Sequence, residues 1–147
     1  MRELPVTVTL PILWGDMDAL GHVNNARYFT WFESGRGELF RRAGMTFTGA
    51  ATEGPILART DCDFLLPVEW PGEVVVGVGV SRIGTKSFTL VSEIARADDR
   101  DRVAARGESV IVMVDYGSGG TVAIPDGVRG RLEGMRVEGE DDGAISG

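Results

Sequence analysis

Residues Asp18 to Tyr28, D-A-L-G-H-V-N-N-A-R-Y, place a carboxylate, the only histidine of the chain and two adjacent asparagines just before an apolar run. A carboxylate can act as base or nucleophile, and an imidazole can orient or carry a proton. The start of a helix presents unpaired N–H groups carrying about half a positive charge, which suits an anion or a developing oxyanion. These are the parts that hydrolysis of an acyl compound requires. The same residues also fit plainer roles: Asp18 as a turn former or cap, His22 as a structural hydrogen-bonding group, Asn24 and Asn25 as cap and loop formers. Asp16 is the rival acid, and a D-x-D pair with no third ligand nearby does not make a metal site.

The elements around this segment follow from periodicity. Residues 5 to 13, P-V-T-V-T-L-P-I-L, alternate apolar residues with threonines, which predicts a half-buried strand, with Pro11 marking an edge or bulge. Residues 14 to 22 read as a loop. From about Asn24 to Ala43 the pattern is helical, opened by an asparagine cap and closed by Gly44 in the left-handed capping position. Tyr28, Phe29, Trp31 and Phe32 point several ways around this helix, so other structure must wrap it. Gly35 and Gly37 are costly in a helix interior, which predicts a close approach to its backbone at both.

Four extended runs follow, at about 55 to 65, 73 to 83, 86 to 96 and 102 to 115, joined by turn sequences of hairpin length. Val74, Val76, Val78 and Val80 give one apolar face, while Gly77 and Gly79 leave room on the other. Residues 125 to 135 predict a short terminal helix. The whole is an α+β domain, residues 1–135, in which an antiparallel sheet of about five strands covers one long central helix. Such a sheet leaves two edges and a back face for self-association. Residues 136–147 read as an acidic, disordered tail.

Composition narrows the function. The chain has 147 residues and a net charge of −7, and more than half of that charge sits beyond residue 132, where five acids face Arg136 alone. An acidic body with no Lys/Arg run argues against nucleic acid and against a polybasic membrane surface. No stretch has the length of a membrane span. One cysteine and one histidine give neither a disulfide nor a zinc set, which fits a cytoplasmic protein without a metal.

Trp14 to Glu33, W-G-D-M-D-A-L-G-H-V-N-N-A-R-Y-F-T-W-F-E, resembles the opening of the hotdog-fold acyl-CoA thioesterases, in the branch similar to 4-hydroxybenzoyl-CoA thioesterase. Asp63 to Glu73, Ser81 to Phe88 and Val110 to Asp115 extend the likeness over about residues 5 to 133. The resemblance implies a sheet wrapped around a central helix, assembled into homodimers or homotetramers with active sites at the subunit interface. It implies that Asp18, rather than Asp16, is the catalytic carboxylate, and that a backbone N–H at about Asn25 polarises the thioester carbonyl. His22 and Asn24 belong to the G-H-V-N-N form of the motif, which also resembles plant acyl-carrier-protein thioesterases. Leu20 stands where those enzymes have an asparagine, so their mechanism does not carry over whole.

The expected activity is therefore hydrolysis of an acyl-CoA to a free acid and coenzyme A, with Asp18 as general base or nucleophile and no cofactor beyond the coenzyme A of the substrate. Phosphates need cations or N–H groups at the mouth of the site. Arg82 and Lys86, flanking the G-T turn where relatives often contact coenzyme A, are candidates, with Arg59 as a third. Glu33 and Arg36 read as an intrahelical ion pair. The alternatives are a non-catalytic acyl-binding module on the same fold and an acyl-carrier-protein thioesterase; the Asp, Asn-Pro and His motif of related hydratases is absent.

Overall fold

The alternating segment at the N-terminus forms β1 (Val6–Pro11), and a single 3-10 turn, Trp14–Asp16, leads into α1 (Asn25–Arg42). The computed structural model describes residues 1–45 and 51–138. After α1 come β2 (Glu53–Thr60), the two-residue β3 (Asp63–Phe64), β4 (Glu73–Ile83), β5 (Ser87–Arg96) and β6 (Ala105–Asp115), then α2 (Asp126–Gly134). The strands pair antiparallel in the order β1-β4-β5-β6-β2, with β3 on the start of β6. This is the expected five-strand sheet around one helix. Pro11 ends an edge strand, where its missing donor costs no ladder bond.

The run expected as one strand over 55 to 65 is two. A register shift between Leu57 and Arg59 bends β2. The Asp61 side chain then accepts the Glu108 N–H at 2.9 Å, and this turns the chain before β3 begins.

The end of α1 is set by Gly44. It sits at φ +82°, its N–H donates to Arg41 O at 3.1 Å, and Met45 N–H donates to Phe40 O at 3.1 Å. These two bonds satisfy carbonyls that the helix end would otherwise leave unpaired. The buried stripe of α1 is Tyr28, Trp31, Phe32, Gly35, Arg36 and Leu39, a helical spacing. It lies on the face of β4 that presents Val74, Val76, Val78 and Val80, all fully buried. Each such side chain stabilises the fold by roughly 1.5–3 kcal/mol relative to exposure.

Gly35 is where helix and sheet meet most closely: a Cβ there would stand 2.7 Å from Val78 and 2.9 Å from Val76 side-chain carbons. Gly37 differs from expectation. Nothing lies within 4 Å of a Cβ built on it, because its side of the helix faces outward. Wrapping is thus one-sided in the single chain, and Phe29, Glu33 and Ser34 remain exposed.

The outer face of β4 is covered by chain ends. Leu4 fills the space beside Gly77, and Val137 and Pro5 fill that beside Gly79, as the glycine pattern predicts. Val137 N–H donates to Val80 O and Val80 N–H to Met135 O, so the backbone past α2 still runs along β4. Of the acidic tail read over 136–147, residues 139–147 lie outside the described residues.

Candidate active site

The loop between β1 and α1 is tied to the helix by Asp16, while Asp18 shapes the turn within it. The Asp16 carboxylate is buried, accepts the Leu13 N–H at 2.8 Å, and stands 3.3 Å from Arg27 in the first turn of α1. Its carbonyl accepts the Asn24 N–H at 2.9 Å. Every strong acceptor of Asp16 is therefore spent on holding the entry to the helix.

Asp18 opens a tight turn closed by a bridge between Met17 and Val23. Its N–H donates to His22 O at 3.0 Å, and Gly21, at φ +83°, donates back to Asp18 O at 3.1 Å. A side chain at position 21 would be strained at that φ, which explains the glycine. Asp18 Oδ1 accepts the Leu20 N–H at 2.9 Å, an Asx turn. The other carboxylate oxygen has no protein partner among the described residues. Leu20, the residue that holds Oδ1, is itself 81% exposed.

At the helix start, Asn24 is the cap. Its side chain accepts the Ala26 N–H at 2.9 Å and its carbonyl the Arg27 N–H at 2.9 Å. That leaves the Asn25 N–H as the first-turn amide without a partner among the described residues. Amides at this position carry the positive end of the helix dipole and favour negative charge. Asn25 lines a shallow depression with His22, Val23, Tyr28, Phe64, Leu65, Leu66 and Pro67.

The ring of Phe64 meets Tyr28 edge-on at 5.1 Å, and Val23 N–H donates to Val68 O, so the wall from residues 64 to 68 is fixed to the helix start. Burial pushes the Tyr28 phenol up, with Cys62 nearby adding to the effect. His22 is half exposed, its Nε2 4.0 Å from Glu69 Oε1.

The four residues Asp18, His22, Asn24 and Asn25 are thus gathered at one end of α1. The three cationic candidates are not. Arg59 lies on β2 beside Asp61 at 3.3 Å, part way along the edge. Arg82 and Lys86 sit at the β4–β5 turn, which Arg129 of α2 ties down through Gly84 O and Thr85 O, while Arg131 packs against Gly44 at the C-terminus of α1. The 18 residues of α1 put roughly 27 Å between that end and Asn25. Within one chain, Arg82 and Lys86 are therefore at the wrong end of the helix for Asp18.

Two features escaped the sequence reading. Phe64 gives the depression its aromatic wall, and a two-residue strand carries no periodicity to mark it. Arg36 is buried and donates to Ser109 Oγ at 3.4 Å, and among the described residues it forms no ion pair with Glu33. Its place at the margin of the stripe with Tyr28, Phe32 and Leu39 lets its guanidinium reach inward to β6, while Glu33 one turn back stays exposed. That spacing was the available signal.

A separate cavity opens on the outer face of the sheet, between Arg2, Leu4, Glu93 and Arg106. The side chain of Glu93 shares that face with Gly77, opposite to α1. It cannot serve the helix N-terminus. Among the described residues no group of three His, Cys, Asp or Glu could hold a metal ion, and no helix is long and apolar enough to cross a membrane.

Residues 12–132 match the model of the thioesterase-like superfamily. Among solved structures, the PA2801 protein of Pseudomonas aeruginosa is 33% identical, with 88% of this chain and 99% of that one covered and a TM-score of 0.83. A thioesterase of Thermus thermophilus complexed with coenzyme A and zinc is 28% identical over 92% of this chain and 96% of that one, with a TM-score of 0.79. Among curated proteins, YsmA of Bacillus subtilis is 30% identical over 79 residues, 54% of this chain; the match spans about half of that relative's length.

Proposed function

The chain belongs to the thioesterase-like superfamily and has the hotdog fold, and from that premise we propose that it is an acyl-CoA thioesterase whose Asp18 works at the N-terminus of α1. The observation that carries this reading is the Asn25 N–H beside the Asp18 turn, which has no partner among the described residues. The coenzyme A complex of the Thermus relative supports coenzyme A as the thiol half of the substrate.

In this mechanism the thioester carbonyl oxygen rests on the Asn25 N–H, which stabilises the charge that grows there as the carbonyl carbon becomes tetrahedral. Leu20 N–H holds Asp18 Oδ1, so the other oxygen faces the reaction. As a general base it takes a proton from water while the water oxygen attacks the carbonyl carbon. The C–S bond then breaks and the proton passes to the departing thiolate. As a nucleophile it attacks first, expels the thiolate and forms a mixed anhydride that water opens. His22, half exposed beside Glu69, orients water or Asp18. Asn24 acts through its cap, which spends the Ala26 and Arg27 amides and leaves that of Asn25.

The placement of Arg82 and Lys86 supports a homodimer with sites between subunits. Among the described residues β2 is a free edge carrying Ile56 and Leu57, each more than 40% exposed, and such edges pair with another strand. Two copies joined antiparallel along β2 would bring the β4–β5 turn of one toward the Asp18 end of the other. Arg82, Lys86 and the edge residue Arg59 then become candidates for the coenzyme A phosphates, and two such dimers can form a tetramer. We place the protein in the cytoplasm, where its single cysteine stays reduced.

The test is a panel of acyl-CoA thioesters assayed with a thiol reagent. Turnover by the native chain that is lost in Asp18→Asn is expected. Binding without turnover across the panel contradicts the reading. Single-turnover hydrolysis in heavy-oxygen water separates the two routes, since only nucleophilic attack puts label into Asp18.

A further inference from the structure

Arg36 occupies a place that the pattern of α1 reserves for apolar side chains. It stands in the buried stripe with Tyr28, Phe32 and Leu39 and is 6% exposed. Its guanidinium reaches across to β6, where Nη1 donates to Ser109 Oγ at 3.4 Å, and that hydroxyl in turn lies 3.2 Å from Thr60 Oγ1. A guanidinium has five donors. Among the described residues its one hydrogen bond is this long one to a neutral hydroxyl, and a largely buried charge without a counter-ion is costly. Among the described residues no carboxylate lies within salt-bridge distance; Glu33, one turn back, acts on it only from further away.

The remaining exposure of Arg36 opens into a groove of about 330 Å³ between α1 and β2, lined also by Glu33, Gly37, Phe40, Ile56 and Leu57. The groove lies farther along the same helix from the depression at Asn25, and the two are lined by different residues. Asn25, Phe29, Glu33, Arg36 and Phe40 follow one another at intervals of three or four residues, which places them along one face of α1. Phe29, between Asn25 and Arg36 on that face, meets Phe64 of the depression wall edge-on at 6.3 Å. Eleven residues of helix separate Asn25 from Arg36, roughly 16 Å along the axis. That is the span of a long, extended acyl chain. Gly37 keeps the groove open, since no atom lies within 4 Å of a Cβ built there.

We propose that Arg36 sets the acyl specificity of this chain and selects acyl groups whose far end carries a carboxylate. The thioester carbonyl lies at the Asn25 amide, the chain runs along the Phe29 face of α1, and the terminal carboxylate meets the Arg36 fork with Ser109 and Thr60 beside it. A planar guanidinium matches a carboxylate with two parallel bonds. An apolar end of the same length would leave the buried charge unpaired. The proposal rests on the thioesterase reading for the chemistry at Asn25, whereas carboxylate binding at Arg36 stands apart from it.

The experiment compares an aliphatic acyl-CoA with its ω-carboxy counterpart of equal chain length, in the native chain, Arg36→Met and Arg36→Lys. The native chain is expected to favour the carboxylated substrate by tenfold or more in kcat/KM. Arg36→Met reverses that preference through KM, and Arg36→Lys, which keeps the charge, retains part of it. Equal kcat/KM for the two substrates in the native chain, or an unchanged preference in both variants, overturns the proposal. Calorimetric binding of the free dicarboxylic acid gives a readout that needs no turnover. A loss of tenfold or more in affinity in both variants supports the Arg36 site even where no thioester is hydrolysed, a result that would defeat only the thioesterase reading. Equal binding by all three chains defeats the Arg36 site alone.

Discussion

Asp16 Oδ1 and Arg27 Nε lie 3.3 Å apart, and this contact ties the loop after β1 to the first turn of α1. With the Leu13 N–H on its other oxygen, Asp16 is fully engaged, whereas Asp18 two residues later keeps one oxygen without a partner among the described residues. Of the two acids of this short loop, Asp16 is held by the architecture, and the proposed function gives the chemistry to Asp18. Asp16→Asn is expected to lower stability by about 2 kcal/mol, since it removes a buried, hydrogen-bonded charge and weakens its hold on the half-exposed Arg27. Asp18→Asn is expected to leave stability within about 0.5 kcal/mol and to cut kcat by roughly 10²–10⁴. Urea denaturation and the thiol assay on both variants check this; loss of activity only in Asp16→Asn would reverse the roles.

Gly35 and Gly37 are expected to respond in opposite directions to the same change. Gly35→Ala drives a methyl group against Val76 and Val78, and overpacking of this kind costs about 1–3 kcal/mol. Gly37→Ala meets nothing within 4 Å and gains helix propensity, up to about 1 kcal/mol of stabilisation. Urea midpoints of the two variants should fall on either side of the native value.

Cys62 is expected to resist alkylation at mildly alkaline pH. Burial, with help from the charges of Asp63 and Asp61, pushes its thiol from the ordinary 9.0 up to about 12. Only the thiolate is reactive, so the rate with iodoacetamide should keep rising until about pH 12 in the folded chain. The sign for stability follows. Because the folded state holds the proton more tightly, this contribution is full below pH 9.0 and declines as pH rises toward 12. Cys62→Ala should remove that decline.

Much of this fold is legible in the sequence because its signals are local. Gly44 closes α1 through a positive φ, Val74 to Val80 alternate with glycines that Leu4 and Val137 fill, and Asn24 caps the helix. What is not legible depends on contacts far apart in the chain. Gly37 and Gly35 look alike until the sheet shows which of them it touches. Asp61 breaks an apparently continuous strand only because its side chain meets the Glu108 backbone. Arg36 next to Glu33 suggests a surface pair, and only β6 draws it inward to Ser109. At the site, spacing alone left Asp16 and Asp18 equal; the partners each one holds separate them.

The central claim is that the backbone amide of residue 25, not its side chain, serves the thioester carbonyl. Proline at position 25 tests it most directly. The first position of a helix tolerates proline, and Asn24 already has an extended backbone, φ −60° and ψ 137°, which suits the residue before one. Asn25→Pro therefore removes the N–H and keeps the helix. The account expects an unchanged urea midpoint with kcat lowered roughly 10²–10³-fold, while Asn25→Ala, which keeps the amide, retains near-native turnover. Full activity in a folded Asn25→Pro chain would contradict it.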